Sequence, residues 1–491
     1  MNILVFDVGT SSIRGVLFNN FGIPAFIHSI AYQVEFFNRV YAEQNPLDWS
    51  SSIVQISRKA VEYCSQHGCK IDALSITSQR SSFIPLNIQG EPLRPAIMWQ
   101  DKRNNEIISE MRSQFECIPS LSGIRINTVF SGTKLMWFRK NEPELYANTF
   151  KICTIADFIV HEITGEFRTD YTYGSSLLMN IQNYKWDNDL LDLFDIDEDK
   201  LCELLPPGSI VGTVSNEFSL KTGLLKGIPV ISGGGDQQCS ALGQGVICKG
   251  RLAVTTGSGA FLMGFSDSIP DNVSCGLVCA AHSIPGKYVL EGSMLTCTVL
   301  YNWAKRELFG TDVSGFDNIN NEVKQSPVGA NGCIAFPFFQ GRGTPDWNGS
   351  AKGALLNLNL KTTRGDISRA ILEGIAIEIK NNIDIMERYS GKFDRIHVSG
   401  GLTQFSVFNQ IQADVYQKVV YRSILSEQTA FGAWIVAAIA LGILDNYESA
   451  FTNSLGKHEC YLPEPSNKDI YKRIQDEINS SYRSLYGKGQ L

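Results

Sequence analysis

The chain opens with an apolar run, Ile3-Leu4-Val5-Phe6, then a polar turn from Asp7 to Ser12, then a second apolar run from Gly15 to Phe18. That pattern predicts strand, tight turn, strand. A helical stretch from Ser50 to Ser65 and a strand from Ile71 to Thr77 follow. Phe83–Leu86, the Gly90-Glu91 turn and Ala96–Trp99 read as a hairpin, and Asn104 to Leu205 reads as mainly helical, closed by Pro206-Pro207-Gly208. Ile228–Ser232 is a short buried strand leading into Gly233-Gly234-Gly235-Asp236 and a helix-like Gln237–Leu242. Residues 252–265 repeat the opening design, apolar strand, Thr/Ser/Gly turn, apolar strand. A further strand, Ile396-His397-Val398, meets Ser399-Gly400-Gly401 and a helical segment around Phe408–Val415. The most apolar segment, Ala430 to Leu444, is too short to span a bilayer and reads as a buried helix. Strands and helices alternate throughout, which predicts an α/β protein.

Composition narrows the class. At 491 residues the chain exceeds what one core holds, so two or three domains are expected, and no low-complexity linker separates them. A net charge of −7, with no basic run, argues against nucleic-acid binding. The twelve cysteines are scattered; Cys64 with Cys69 and Cys275 with Cys279 resemble ligand pairs only weakly, and buried free thiols are the better reading. Six histidines without a cluster argue against a zinc site. The early first strand leaves no room for a signal peptide, and no membrane span is evident, so the expectation is a cytoplasmic protein.

Four places carry candidate chemistry. In the first turn, Gly9 eases the bend, Thr10, Ser11 and Ser12 offer hydroxyls and N–H groups, and Arg14 adds charge. Such a turn suits phosphate oxygens, with Asp7 placed for a hydrated magnesium ion; an ordinary solvated hairpin is the alternative. Asp236 ends a buried strand after three glycines, where α/β sheets bind ligands, yet Asp is also a favoured helix cap. Gly400 and Gly401 would let a nucleotide lie against the backbone, although many such turns bind nothing. Ser78-Gln79-Arg80-Ser81-Ser82 and Trp99-Gln100-Asp101-Lys102-Arg103 would suit a small polyhydroxyl compound; the alternative is a core Trp99 with Asp101 and Arg103 as a surface pair.

Together these segments resemble the FGGY family of carbohydrate kinases along nearly the whole chain. Asp7-x-Gly9-Thr10-Ser11-Ser12-x-Arg14 is similar to the family's first phosphate motif, and Thr256-Gly257-Ser258-Gly259 to its second. Tyr41 to Pro46 with Trp49, Trp99 to Arg103, Gly341 to Pro345, Ser399-Gly400-Gly401 and Thr429 to Ala433 resemble further landmarks. Gly234-Gly235-Asp236-Gln237-Gln238 matches the position of the family's catalytic aspartate. The resemblance implies two actin-like, ribonuclease H-like domains with a central cleft, divided as 1–246 and 247–491. It implies ATP with Mg2+, and phosphoryl transfer to a hydroxyl of a small sugar or polyol. Asp236 would be the base and Asp7 the metal carboxylate. Thr10, Ser11, Ser12, Arg14, Thr256 and Gly257 would surround the phosphates, and Gly400 and Gly401 would underlie the nucleoside. Arg80, Ser81, Trp99, Asp236 and Gln237 would contact the acceptor.

Gln237-Gln238 and Phe130 to Lys134 look like the glycerol kinase branch. That branch usually has Arg-Glu-Thr where this chain has Arg80-Ser81-Ser82, and a tyrosine where it has Val129. The Thr344-Pro345 loop looks more like the xylulose kinase branch, whose Met-His at the substrate strand is replaced here by Arg80-Ser81. A ketopentose such as xylulose is the first expectation and glycerol the second. An actin-like ATPase without a sugar substrate is the alternative of a different class. Members of the family often form dimers or larger assemblies, so a homodimer is compatible with the resemblance, though no interface pattern stands out.

Overall fold

The computed structural model describes residues 1–111, 114, 118–176, 178–271, 276–310, 315–423, 427–453 and 458–487. Two mixed sheets dominate it. The first has six strands in the order Ile210–Thr213, Pro229–Gly235, Ala73–Ser78, Ile3–Val8, Ser12–Phe18, Pro24–Ala31. The second has seven, in the order Val278–Ala281, Tyr288–Met294, Ala260–Ser266, Arg251–Thr256, Arg395–Gly400, Val419–Ser423, His458–Tyr461.

The two sheets share one plan. In each, a central strand (Ile3–Val8 or Arg251–Thr256) pairs antiparallel with its hairpin mate and parallel with a later strand. A third antiparallel strand extends the hairpin side, and a parallel then an antiparallel strand complete the other side. Val278–Ala281 is an addition at the second sheet's edge. The repeated hairpin read from the sequence is therefore the visible part of a duplicated domain.

Local signals explain the main helices. Pro46–His67 starts at Asn45, whose side chain accepts the Leu47 N–H, and stops at Gly68 in the left-handed region. The helix Arg364–Ser390 begins with a capping box between Thr363 and Asp366 and is buried along most of its length. Residues 104–205 contain short helices interleaved with the strands Lys151–Cys153, Arg168–Asp170, Met179–Asn180, Lys185–Trp186 and Glu203–Leu205. The expected hairpin near Phe83 survives as the bridges Phe83–Ile97 and Leu86–Pro92. Its strands find other partners: Ile84–Leu86 pairs with Lys151–Cys153, and Ala96–Ile97 with Tyr41–Gln44.

The apolar C-terminal segment forms the helix Gln428–Ala440, with Ala430, Phe431, Ala433 and Trp434 packed among Ile3, Val5, Val16, Phe18 and Ile231. A helix from the second half of the sequence thus covers the first sheet. The same core reaches Ala253, Met263 and Val289 of the second sheet, so apolar contact joins the two. No described helix is long and apolar enough to cross a membrane.

Candidate active site

Three neighbouring strands of the first sheet run parallel and bring their carboxyl ends together. Asp7 lies one residue before the end of Ile3–Val8, opposite Arg14 in the hairpin. Ala73–Ser78 continues into Gln79 and Arg80. Asp236 follows Pro229–Gly235 directly and begins the helix Asp236–Gly243. Gly235 occupies the cap position, and the Asp236 carboxylate accepts the Gln237 N–H at 2.7 Å.

The carboxyls are electrostatically linked. Burial and the charge of Asp236 raise the Asp7 pKa to about 7, with Arg14 acting in the opposite sense. Burial raises that of Asp236 to about 6, restrained by Arg80. Both residues remain partly exposed, at the ends of strands that the Arg80 side chain links to the second sheet across a cleft.

Arg80 spans that cleft. Its guanidinium makes a two-pronged ion pair with Glu291, at 2.6 and 3.0 Å, on the strand Tyr288–Met294 of the second sheet. A second cross-link joins Arg14 to Glu427 at 3.2 Å. Sequence reading missed Glu291; its one signal is a lone charged residue within a largely apolar strand, Tyr-Val-Leu-Glu-Gly-Ser-Met.

Of the expected acceptor residues, Arg80 and Gln237 adjoin Asp236, and Ser81 and Trp99 belong to loops near the first turn. The Trp99 indole N–H donates to Thr10 Oγ1 at 3.0 Å, which ties the first turn to the Trp99 loop. The Trp99 N–H donates to Ser82 Oγ at 2.9 Å. Ser81 is buried and has φ 64°, a left-handed conformation uncommon for serine and often found at functional sites. Fully buried Lys134 stretches under this loop, donating to the carbonyls of Val129 at 2.6 Å and Trp99 at 3.0 Å. Burial lowers its pKa to about 7.

Asp101 and Arg103 are not a surface pair. They form a buried ion pair at 2.8 Å, capped by the Ala42 N–H and by Glu43, with Arg103 stacked on Tyr41. Ser11 is exposed at the turn, and Ser12 lies in the returning strand, its carbonyl accepting the Gly9 N–H at 3.0 Å.

The second turn lies at the matching end of the second sheet. Thr256 ends its strand opposite Gly400, and Thr256 Oγ1 donates to the Ser399 carbonyl at 2.9 Å. The Gly257 N–H donates to the Gly259 carbonyl at 2.8 Å, closing the turn. Gly400 has φ 96°, and a Cβ there would stand 2.2 Å from the Thr256 carbonyl oxygen. A Cβ on Gly401 would meet nothing nearer than 3.8 Å, so that position is open to a ligand. Among the described residues no group of three or more His, Cys, Asp or Glu could hold a metal ion. Cys64, Cys69 and Cys279 are free thiols, and Cys275 lies outside the described residues.

Two family models match the chain in order: the N-terminal domain of the FGGY family of carbohydrate kinases over residues 2–243, and its C-terminal domain over 252–441. The chain belongs to this family. It is accordingly a phosphotransferase that uses ATP and an alcohol acceptor. A xylulose kinase of Lactococcus lactis subsp. lactis is 28% identical over 490 residues, 98% of this chain and 96% of the relative. A glycerol kinase of Thermococcus kodakarensis is 30% identical over 454 residues, 89% of this chain and 88% of the relative. The crystal structure of a xylulose kinase from Rhodospirillum rubrum superposes with a TM-score of 0.93 at 23% identity, covering 99% of both chains. The two-domain fold of this family is thus the fold of this carbohydrate kinase.

Proposed function

We propose that this FGGY kinase transfers the γ-phosphoryl group of ATP to a hydroxyl of a neutral ketopentose such as xylulose. Asp236 would be the base. The observation that carries this reading is the Asp236 carboxylate beside an Arg80 already neutralised by Glu291. With its pKa near 6, Asp236 is ionised at neutral pH and still basic enough to accept the acceptor's proton as the bond to phosphorus forms. Alignment and charge neutralisation would supply most of the rate.

In this reading the acceptor and the first phosphate turn come from residues 1–246, and the nucleotide turns from 247–491. Thr10, Ser11, Ser12 and Arg14 would border the phosphates from one side, Thr256 and Gly257 from the other, with Gly400 and Gly401 beneath the nucleoside. Asp7 and Asp236 fit a magnesium ion, since each carboxylate raises the other's cost of ionisation and a divalent cation relieves that repulsion. Magnesium is commonly held by one or two carboxylates plus substrate phosphates, and when bound it would neutralise charge on the transferring group.

Charge favours a neutral acceptor. Arg80 is already paired with Glu291 and Arg14 with Glu427, and the carboxylates Asp236 and Asp7 stand beside them, so an aldonate or sugar phosphate would meet repulsion. Ser81, smaller than the glutamate usual in the glycerol kinase branch, favours an acceptor longer than glycerol, and relatives named xylulose kinase favour the same choice. The test is ATP consumption with xylulose, ribulose, glycerol, erythritol, hexuloses and gluconate. The ketopentoses are expected to give the highest kcat/KM and gluconate the lowest. Glycerol ranking first would overturn the choice of sugar, and gluconate ranking first would overturn the charge argument.

A further inference from the structure

The parallel ladder between Ala73–Ser78 and Pro229–Gly235 is irregular at its active end. Pairing passes from Ile76 with Ser232 to Thr77 with Gly234, so Gly233 is an extra residue, and Gly234 turns at φ 101°. A bulge of this kind leaves backbone groups without regular ladder partners. Here side chains from outside the sheet take them up, the Cys239 thiol donating to the Gly233 carbonyl at 3.0 Å. The Tyr173 hydroxyl accepts the Ser78 N–H at 2.9 Å and donates to the Gly234 carbonyl at 2.9 Å.

Ser78 is two residues before Arg80, and Gly234 two residues before Asp236. A single hydroxyl therefore fastens both strand ends that present the site. Its neighbour continues the stitching: Thr172 Oγ1 accepts the Gly235 N–H at 2.7 Å and is itself held by Asp170, which also binds the Ser232 hydroxyl. Tyr173, Thr172 and Asp170 are all buried, and their polar groups are spent on one another and on the strand ends. Burial and the charge of Asp170 keep the Tyr173 phenol protonated.

We propose that Tyr173 is a positioning residue of the acceptor site: its hydroxyl sets the spacing of the Arg80 and Asp236 strand ends and so aims the Asp236 carboxylate. The proposal rests on Asp236 being the base. Tyr173→Phe keeps the ring in place, removes the acceptor of the Ser78 N–H and leaves the Gly234 carbonyl only the Cys239 thiol at 3.5 Å. Misplacing a reacting group by about 1 Å can cost about 100-fold, so kcat is expected to fall by about 10- to 100-fold. The KM for ATP should stay within about twofold of wild type, since the nucleoside turn at Gly400 and Gly401 lies on the other sheet and Tyr173 touches neither phosphate turn.

The coupling is read from the double variant. If Tyr173 acts through Asp236, adding Tyr173→Phe to Asp236→Asn should cost almost nothing further. A folded Tyr173→Phe enzyme with wild-type kcat, or full additivity in the double variant, overturns the proposal. Near-normal turnover by Asp236→Asn alone would instead overturn the assignment of the base. Should Tyr173→Phe fail to fold, Thr172→Val and Thr172→Ser carry the test. The valine variant is expected to lose kcat and the serine variant to recover it, and equal kcat in the two overturns the idea.

Discussion

Asp7 is held in a site that opposes its ionisation, because burial and the Asp236 carboxylate both favour its protonated form. The folded pKa, about 7, stands above the ordinary carboxylate range, so the folded chain binds this proton more tightly than the unfolded chain. Stability from this group is fully present below about pH 4 and is lost as the pH rises to about 7. Asp7→Asn should therefore raise the melting temperature of the nucleotide-free protein at pH 8, with the gain vanishing toward pH 4, while abolishing turnover. An equal shift at both pH values would contradict the account. Asp7 and Asp236 were legible in the sequence because each ends a short apolar run beside small residues. Glu291 was not, because its partner Arg80 lies 211 positions away and only the tertiary fold joins them.

At the scale of elements, the recurring unit is a strand that ends in a turn facing the cleft. The two adjacent glycines of the second sheet differ in what they do. Gly400 packs against the Thr256 carbonyl at a φ that only glycine adopts readily, whereas Gly401 faces open space. Gly400→Ala is expected to lower the melting temperature, with a cost of about 1–3 kcal/mol or more. Gly401→Ala should leave the melting temperature unchanged and raise the KM for ATP. Thermal unfolding with and without ATP separates the two, and identical behaviour of the variants would refute the distinction. The pair of glycines was visible in the sequence, but which of them packs against backbone depends on the register of Thr256 with Gly400.

Across the whole molecule, the duplicated sheets were foreshadowed by the matching hairpins at residues 3–18 and 252–265, since both bury apolar strands around a polar turn. The destination of Gln428–Ala440 was not. A helix apolar on every face declares that it is buried without saying against which sheet, and it covers the first. That packing, with Arg14–Glu427 and Arg80–Glu291, fastens the halves together around the carboxylates. In the proposed reaction this cleft delivers an acceptor hydroxyl to Asp236. That delivery is tested most directly by acceptor-dependent ATP turnover in wild type and Asp236→Asn, with ATP binding measured in parallel. Turnover should fall by about 10²- to 10⁴-fold with ATP affinity unchanged, whereas near-normal turnover in the variant would contradict the claim.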